Sequence, residues 1–188
     1  MADSPNEGAL RLPLTVATAS AHAVTGAPEV EVIALFDRLR DPLLRYLLSL
    51  GVSLHDGEEI VQETFLALFH HLRRDRSREN LPAWLFRVAH NLGMKRVRKG
   101  NTSPLAIAEQ LTLADSSPSP EDQAADQQRS KHLMGAFRAL PEQDRRCLAL
   151  RAEGLRYREI AAILDISLGA VSASIARSLA RLSRAVER

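Results

Sequence analysis

The sequence predicts an all-α fold, and three observations carry that prediction. Aromatic residues make up only 4% of the chain, Leu, Ala and Arg abound and β-branched runs are scarce, a balance that suits helices packed on helices. Apolar residues recur at steps of three and four over long stretches, the repeat of a helix that buries one face. Proline stands at the start of such stretches, at Pro82 and Pro141, and glycine at the end of one, at Gly154.

In chain order, residues 1–28 are rich in Ala, Ser, Thr and Pro without a sustained period and read as a flexible arm. From Glu29 to Gly51, Val32, Ile33, Leu35, Phe36, Leu39, Leu43, Leu44, Leu47 and Leu48 mark one long or kinked helix, or two divided at Pro42. From Glu58 to Leu72, Ile60, Val61, Phe65, Leu68, Phe69 and Leu72 share a face, with Glu59, Gln62, Glu63 and Ala67 opposite. After the charged loop "RRDRSREN", a helix is expected from Leu81 to about Lys99. Its packed stripe reads as Trp84, Leu85, Val88 and Leu92, and its other side carries Arg87, Asn91, Met94 and Arg98. On that stripe Trp84 is read as core rather than as a stacking platform. Residues 100–120 contain proline and serine and read as a linker. Helices are expected again over 121–139, 142–153, 157–164 and 168–186. The chain thus divides into an arm (1–28), a small helical domain (29–99), a flexible linker (100–120) and a second small helical domain (121–188).

The formal net charge of +2 conceals a segregation. Residues 31–100 carry twelve basic and nine acidic side chains, 101–128 five acidic and none basic, and 129–188 twelve basic and six acidic. Two basic blocks around an acidic linker suit a polyanionic partner, although surface arginine is also the ordinary solvated face of a helix. The single cysteine, Cys147, lies in the apolar run "CLALRAEGL"; it excludes a disulfide framework and reads as a buried thiol in a reducing cytoplasm. Near the N-terminus, Arg11 and "LPLTVATASAHAVTGA" superficially resemble a secretory signal. His22, several hydroxyl residues and an acidic start interrupt it, and no stretch approaches ~20 apolar residues. A soluble protein without membrane insertion is expected.

Only Asp165-Ile166-Ser167 separates the last two helices, so they must cross, which is the plan of a helix-turn-helix. Ser167 suits an N-cap, Ala161 is small where the helices would cross, and Asp165 holds a turn position where left-handed backbone is tolerated by Asp. Val171, Ile175, Leu179, Leu182 and Val186 fall within an arc of about 80° and are expected to face the core, with Ala173, Arg177, Arg181 and Arg184 opposite. On these residues alone the unit is a DNA reader or an αα-hairpin with a solvated arginine face.

The stretches "FDRLRDPLLRYLLSLG", "DGEEIVQETFLALF" (Asp56–Phe69), "NLPAWLFRVAHNLGMKRVRK" (Asn80–Lys99) and "LPEQDRRCLALRAEGLRYREIAAILDISLGAVSASIARSLARL" (Leu140–Leu182) decide between them. In this order they resemble the region 2 and region 4 signatures of bacterial sigma factors of the extracytoplasmic-function (ECF) group. The resemblance covers Phe36–Lys99 and about Glu121–Leu182.

The resemblance implies a protein that binds core RNA polymerase and directs it to promoters by reading −35 and −10 elements and melting DNA. It implies that Asp56, Glu59, Gln62 and Glu63 face basic residues on the clamp coiled coil of the polymerase β′ subunit. It implies that Arg87, His90, Asn91, Lys95 and Arg98 meet −10 DNA, with the loop Arg73–Asn80 cradling an extruded non-template base. Asn can pair with adenine edges, while Arg and Lys mainly hold phosphates. For the −35 element the implied contacts are Ser172, Ala173, Ala176, Arg177, Arg181 and Arg184. The family's usual pattern has a Lys and an Arg where this chain has Ser172 and Ser174. Arg177 matches the next basic position and is retained as the principal contact, and the short neighbours would let the helix sit deep. The implied partners are core polymerase, promoter DNA and an anti-sigma factor; no cofactor and no metal are implied. The free chain is expected to be compact, its domains shielding each other's basic faces or held by an anti-sigma partner.

Two rival classes fit less well. An enzyme would need a site, but His70 and His71 are adjacent and point about 100° apart with no third ligand at metal spacing, and no phosphate loop or nucleophile elbow occurs. A freestanding helix-turn-helix regulator would need only the second domain and would leave the Asp56–Glu63 face unexplained. Such a regulator shifts promoter DNA alone, whereas a sigma factor needs core polymerase.

Overall fold

The structure, a computed structural model, describes residues 28–74, 76–100 and 132–186; the expected arm, the linker and the start of the helix expected from residue 121 lie outside them. The regular elements are helices: α1 (Pro28–Ser49), α2 (Leu54–Arg73), α3 (Leu81–Arg98), α4 (132–138), α5 (Glu142–Ala152), α6 (Tyr157–Leu164) and α7 (Leu168–Val186).

α1 runs unbroken through Pro42, so one helix stands where one or two were expected. Beyond it Gly51, at φ 89°, takes a left-handed conformation open to glycine and turns the chain toward α2. Ser53 caps α2, its Oγ accepting the Asp56 N–H at 3.1 Å. Leu43, Leu44, Leu47 and Leu48 of α1 are buried with Ile60, Phe65, Leu68 and Leu72 of α2 and Leu85, Phe86 and Ala89 of α3. Burying each large side chain contributes about 1.5–3 kcal/mol against leaving it in water. Phe36 meets Phe65 edge to face at 5.0 Å, which fixes the crossing of α1 and α2.

The packed face of α3 is shifted from the expected one, with Leu85 at its centre and Trp84 and Leu92 packed against its edge. Leu85, Phe86, Ala89, His90 and Gly93 are buried, while Trp84, Val88 and Leu92 lie only partly covered at the flank. The face is turned because α3 lies closest to α1 at its small residues. A Cβ added at Gly93 would stand 2.8 Å from Leu47 Cδ2 and 3.2 Å from Leu50 Cδ1.

In the second unit α5 ends at Gly154, φ 88°, and the Arg156 N–H that opens α6 donates to Glu159 Oε2 at 2.6 Å. Asp165 is left-handed, φ 53°, and the Ile166 N–H returns to Ala161 O at 3.1 Å. Ser167 Oγ accepts the Ala170 N–H at 3.1 Å, capping α7. α6 and α7 meet at 107°, within the range of a helix-turn-helix. Val171 and Ile175 face the core as expected; Leu179 does not, being 55% exposed. Ser174 and Ser178 fill the stripe instead, since short hydroxyls allow α7 to press on α5: Ser178 Oγ donates within α7 to Ser174 O at 2.8 Å and reaches Asp144 O of α5 at 3.4 Å.

The two units touch. α5 packs on α1 and α6 on α3, and Arg45 of α1 forms a two-pronged ion pair with Glu153 at the end of α5, at 3.0 and 2.7 Å.

Candidate nucleic-acid interface

Three surfaces hold the residues singled out by sequence. On α2, Glu59, Gln62 and Glu63 point outward, but Asp56 is 8% exposed. Its carboxylate accepts from Ser53 Oγ at 2.7 Å and forms an ion pair with Arg96 of α3. Asp56 therefore supports the Ser53 cap and braces α2 against α3, a correction to its expected place on the outward face. Arg96 also reaches Glu59 at 3.1 Å, which leaves Gln62 and Glu63 as the outermost polar groups. Sequence reasoning missed Leu66, which is 57% exposed beside them. The signal was present: Leu66 lies one turn past Gln62 and off the apolar stripe.

On α3, Arg87, Asn91 and Arg98 are exposed as the wheel required, with Met94 only partly so, and Lys95, implied by the resemblance, is exposed beside them. His90 is a correction. It is buried, and its Nδ1 shares a hydrogen bond of 2.7 Å with Tyr46 Oη. Burial, with the charges of Arg146 and Arg98 nearby, pulls its pKa down to about 4, so at neutral pH it is an uncharged core group and not a DNA contact. The start of α3 faces a groove of about 360 Å³ lined by Ala67, His70, His71, Arg74, Arg76 and Trp84. His71 packs on Trp84 with ring centres 4.8 Å apart and donates from Nε2 to Ser77 O at 2.8 Å, anchoring the loop. Trp84, expected as core, is half-buried and presents an edge to this groove. An aromatic beside two arginines and two histidines can stack a base and hold its phosphate.

On α7, Ser172, Ala173, Ala176, Arg181 and Arg184 are exposed. Arg177 is exposed too, yet its guanidinium is engaged: Nε and Nη2 donate to Asp144 at 3.2 and 2.8 Å, and Nη2 also donates to Ser174 Oγ at 3.1 Å. The fork expected to grip guanine or phosphate at −35 holds α7 to α5 in the free chain. Arg184 Nε donates to Ala180 O on its own helix at 2.9 Å. What remains for DNA is a surface of short side chains, with Leu168 and Leu179 exposed and arginines on one flank.

Among the described residues no three His, Cys, Asp or Glu side chains converge as a metal site, and no single helix is long and apolar enough to cross a membrane.

Two family descriptions match these two units in order: Sigma-70 region 2 over residues 35–102 and Sigma-70, region 4 over 131–182. The RNA polymerase sigma factor CnrH of Cupriavidus metallidurans is 31% identical over 146 residues, spanning 72% of this chain and 75% of that protein. The chain belongs to the ECF group of sigma-70 family sigma factors. The ECF RNA polymerase sigma factor SigE of Mycolicibacterium smegmatis is 31% identical over 76% of this sigma factor, and EcfG of Rhodopseudomonas palustris 29% over 79%. This sigma factor spans 56% of the SigE length and 32% of the probable sigma factor RfaY of Xanthomonas campestris. Among solved structures, CnrH in complex with the cytosolic domain of CnrY aligns with a TM-score of 0.58 at 25% identity, covering 85% of this chain and 89% of that one. The fold also matches RpoE of Bartonella quintana, solved with the anti-sigma factor NepR, with a TM-score of 0.58 at 21% identity over 85% of this chain and 96% of that one.

Proposed function

We propose that this sigma factor binds core RNA polymerase and directs promoter-specific initiation, docking through Glu59, Gln62, Glu63 and Leu66 of α2. The observation that carries the reading is that the region 2 and region 4 matches fall, in order, on two helical units that each keep an exposed face opposite a packed one. Arg87, Asn91, Lys95 and Arg98 of α3 hold and read the −10 element, and the groove beside Trp84 receives an extruded base. Ser172, Ala173 and Ala176 enter the major groove at −35 with Arg181 and Arg184 on phosphates. The protein is a cytoplasmic DNA-binding regulator without catalysis of its own, and an anti-sigma factor is a natural partner, as NepR is of RpoE of Bartonella quintana.

The test is run-off transcription with purified core polymerase on a promoter carrying both elements. Core-dependent initiation is expected, together with no retardation of the promoter by the free chain. Retardation without core, and no initiation with it, would favour a freestanding regulator.

A further inference from the structure

We infer that α7 selects its −35 element by covering thymine methyl groups with Leu168, Ala173 and Ala176, and not by hydrogen bonds to base edges. The inference rests on the sigma-factor reading above and deepens it, naming the base that the helix prefers and adding Leu168 to its readers.

The second helix of a helix-turn-helix offers the residues of its first turns to the bases. Here these are Leu168, Gly169, Ser172, Ala173 and Ala176, all exposed. At the helical repeat Leu168, Ser172 and Ala176 fall within about 80° of one another, and Gly169 and Ala173 continue the strip. Leu168 stands beside the packed stripe of Val171 and Ile175, yet it is 47% exposed and its bulk is left outside the core. A Cβ added at Gly169 would meet only Ser167 Oγ, at 4.0 Å, so the head of the helix is open to close approach.

What this strip can distinguish follows from its chemistry. Ser172 alone of the five carries a hydrogen-bonding side chain, and a hydroxyl that both donates and accepts serves any base edge. The fork suited to guanine, on Arg177, is closed on Asp144. The mark that remains in the major groove is the C5-methyl of thymine, the apolar group that an A·T pair presents there. Leu168, Ala173 and Ala176 are stabilised by covering it, whereas against a G·C edge they would seal donors and acceptors from water without replacing their partners. Attraction and penalty point the same way, toward A·T pairs.

The charges fit the same pose. Arg156 and Arg158 at the head of α6 line the same open groove as Leu168, Gly169 and Ser172, and Arg181 and Arg184 are exposed further along α7. Cations around an uncharged strip hold phosphates and leave the bases to the apolar side chains.

The experiment uses holoenzyme reconstituted from core polymerase and the full chain. Promoters randomised at −35 are first selected by initiation, which supplies the preferred element. Each thymine of that element, on either strand, is then replaced by deoxyuridine, which removes the methyl group and nothing else. Open-complex formation is read for the parent and for Leu168→Ala. An A·T-rich element is expected, and deoxyuridine should weaken the parent about fourfold at each contacted thymine. At one of these, Leu168→Ala should already have lost that factor and show no further effect. A G·C element, initiation indifferent to the −35 sequence, or parental strength on every deoxyuridine template would overturn the inference. So would an equal loss in both proteins at every thymine, since the methyl would then act through the shape of the DNA. Leu168→Gln, similar in length and polar at its tip, replaces Leu168→Ala should the latter lose helicity. Failure of the parent to initiate on any member of the library would overturn the promoter reading, and this inference with it.

Discussion

Arg177 holds Asp144 by two hydrogen bonds across 33 positions of sequence, and Asp144 is 2% exposed. The Arg177 guanidinium keeps the Asp144 carboxyl below its ordinary value of 3.8. A residue at the expected DNA-reading position is thereby a clasp between α5 and α7.

Asp144→Ala should lower the melting temperature of the second unit, because a buried carboxylate loses its charged hydrogen bonds to an exposed guanidinium. Arg177→Ala should lower the melting temperature as well, and Arg177→Lys should recover only part of it, since an ammonium lacks the planar fork. A carboxylate whose folded pKa is depressed contributes above 3.8 and loses its contribution as pH falls through the folded value. Parent and Asp144→Ala melting curves should therefore converge in acid. In transcription, Arg177→Ala should weaken cognate and scrambled −35 templates alike; loss confined to the cognate template would return Arg177 to base reading.

His90 gives a second handle on pH, of the same sign. The unfolded imidazole takes a proton near 6.5 and the folded one only near 4, so between these values the unfolded state binds more protons. Stability is complete above 6.5 and falls as the pH drops toward 4, by up to about 2–3 kcal/mol. Urea unfolding at pH 7 and pH 5 should show this loss in the parent and a smaller one in His90→Gln. An equal pH dependence in both would contradict the burial of a neutral His90.

Gly93→Val should destabilise the first unit by roughly 2 kcal/mol or more, because its Cβ would already stand within 2.8 Å of Leu47 and two further carbons must fit. Gly93→Ala should cost less, since the Leu47 δ-carbon can turn away and alanine favours the helix. The midpoint of urea unfolding checks both.

On α2, Glu63→Lys and Leu66→Glu should each weaken association with core polymerase while leaving helicity and melting unchanged. Asp56→Ala should do the reverse, lowering stability by about 1–3 kcal/mol through loss of the Ser53 hydroxyl's hydrogen bond and an ion pair. Co-purification and thermal unfolding, read side by side, separate the two. A purely binding effect of Asp56→Ala would refute its bracing role.

Helix bounds, the turn at Asp165 and the exposed side of α3 were legible because periodicity and capping are local properties of the chain. The errors share one cause. A wheel weighs apolar bulk, so it assigned Trp84, Val88 and Leu92 to the packed face of α3 and Leu179 to that of α7. Close helix contact prefers small side chains, and Ala89, Gly93, Ser174 and Ser178 took those places. Asp56 and His90 were read as surface groups because they are polar, and Arg177, which is exposed, was read as an unengaged one. Each has its partner at least 33 positions away, in Arg96, Tyr46 and Asp144, and no local pattern announces such a pairing.

Cys147 is fully buried, and burial pushes its thiol above the ordinary range, away from the reactive thiolate. As the chain's one sulfhydryl, it works as a built-in stopwatch. Alkylation by a small maleimide can proceed only during the instants when α5 peels from its surroundings, so the labelling half-life measures how often that happens. Comparing that half-life for the parent and for Glu153→Arg then reads the opening frequency from a mass spectrum, without a dye or an engineered cysteine.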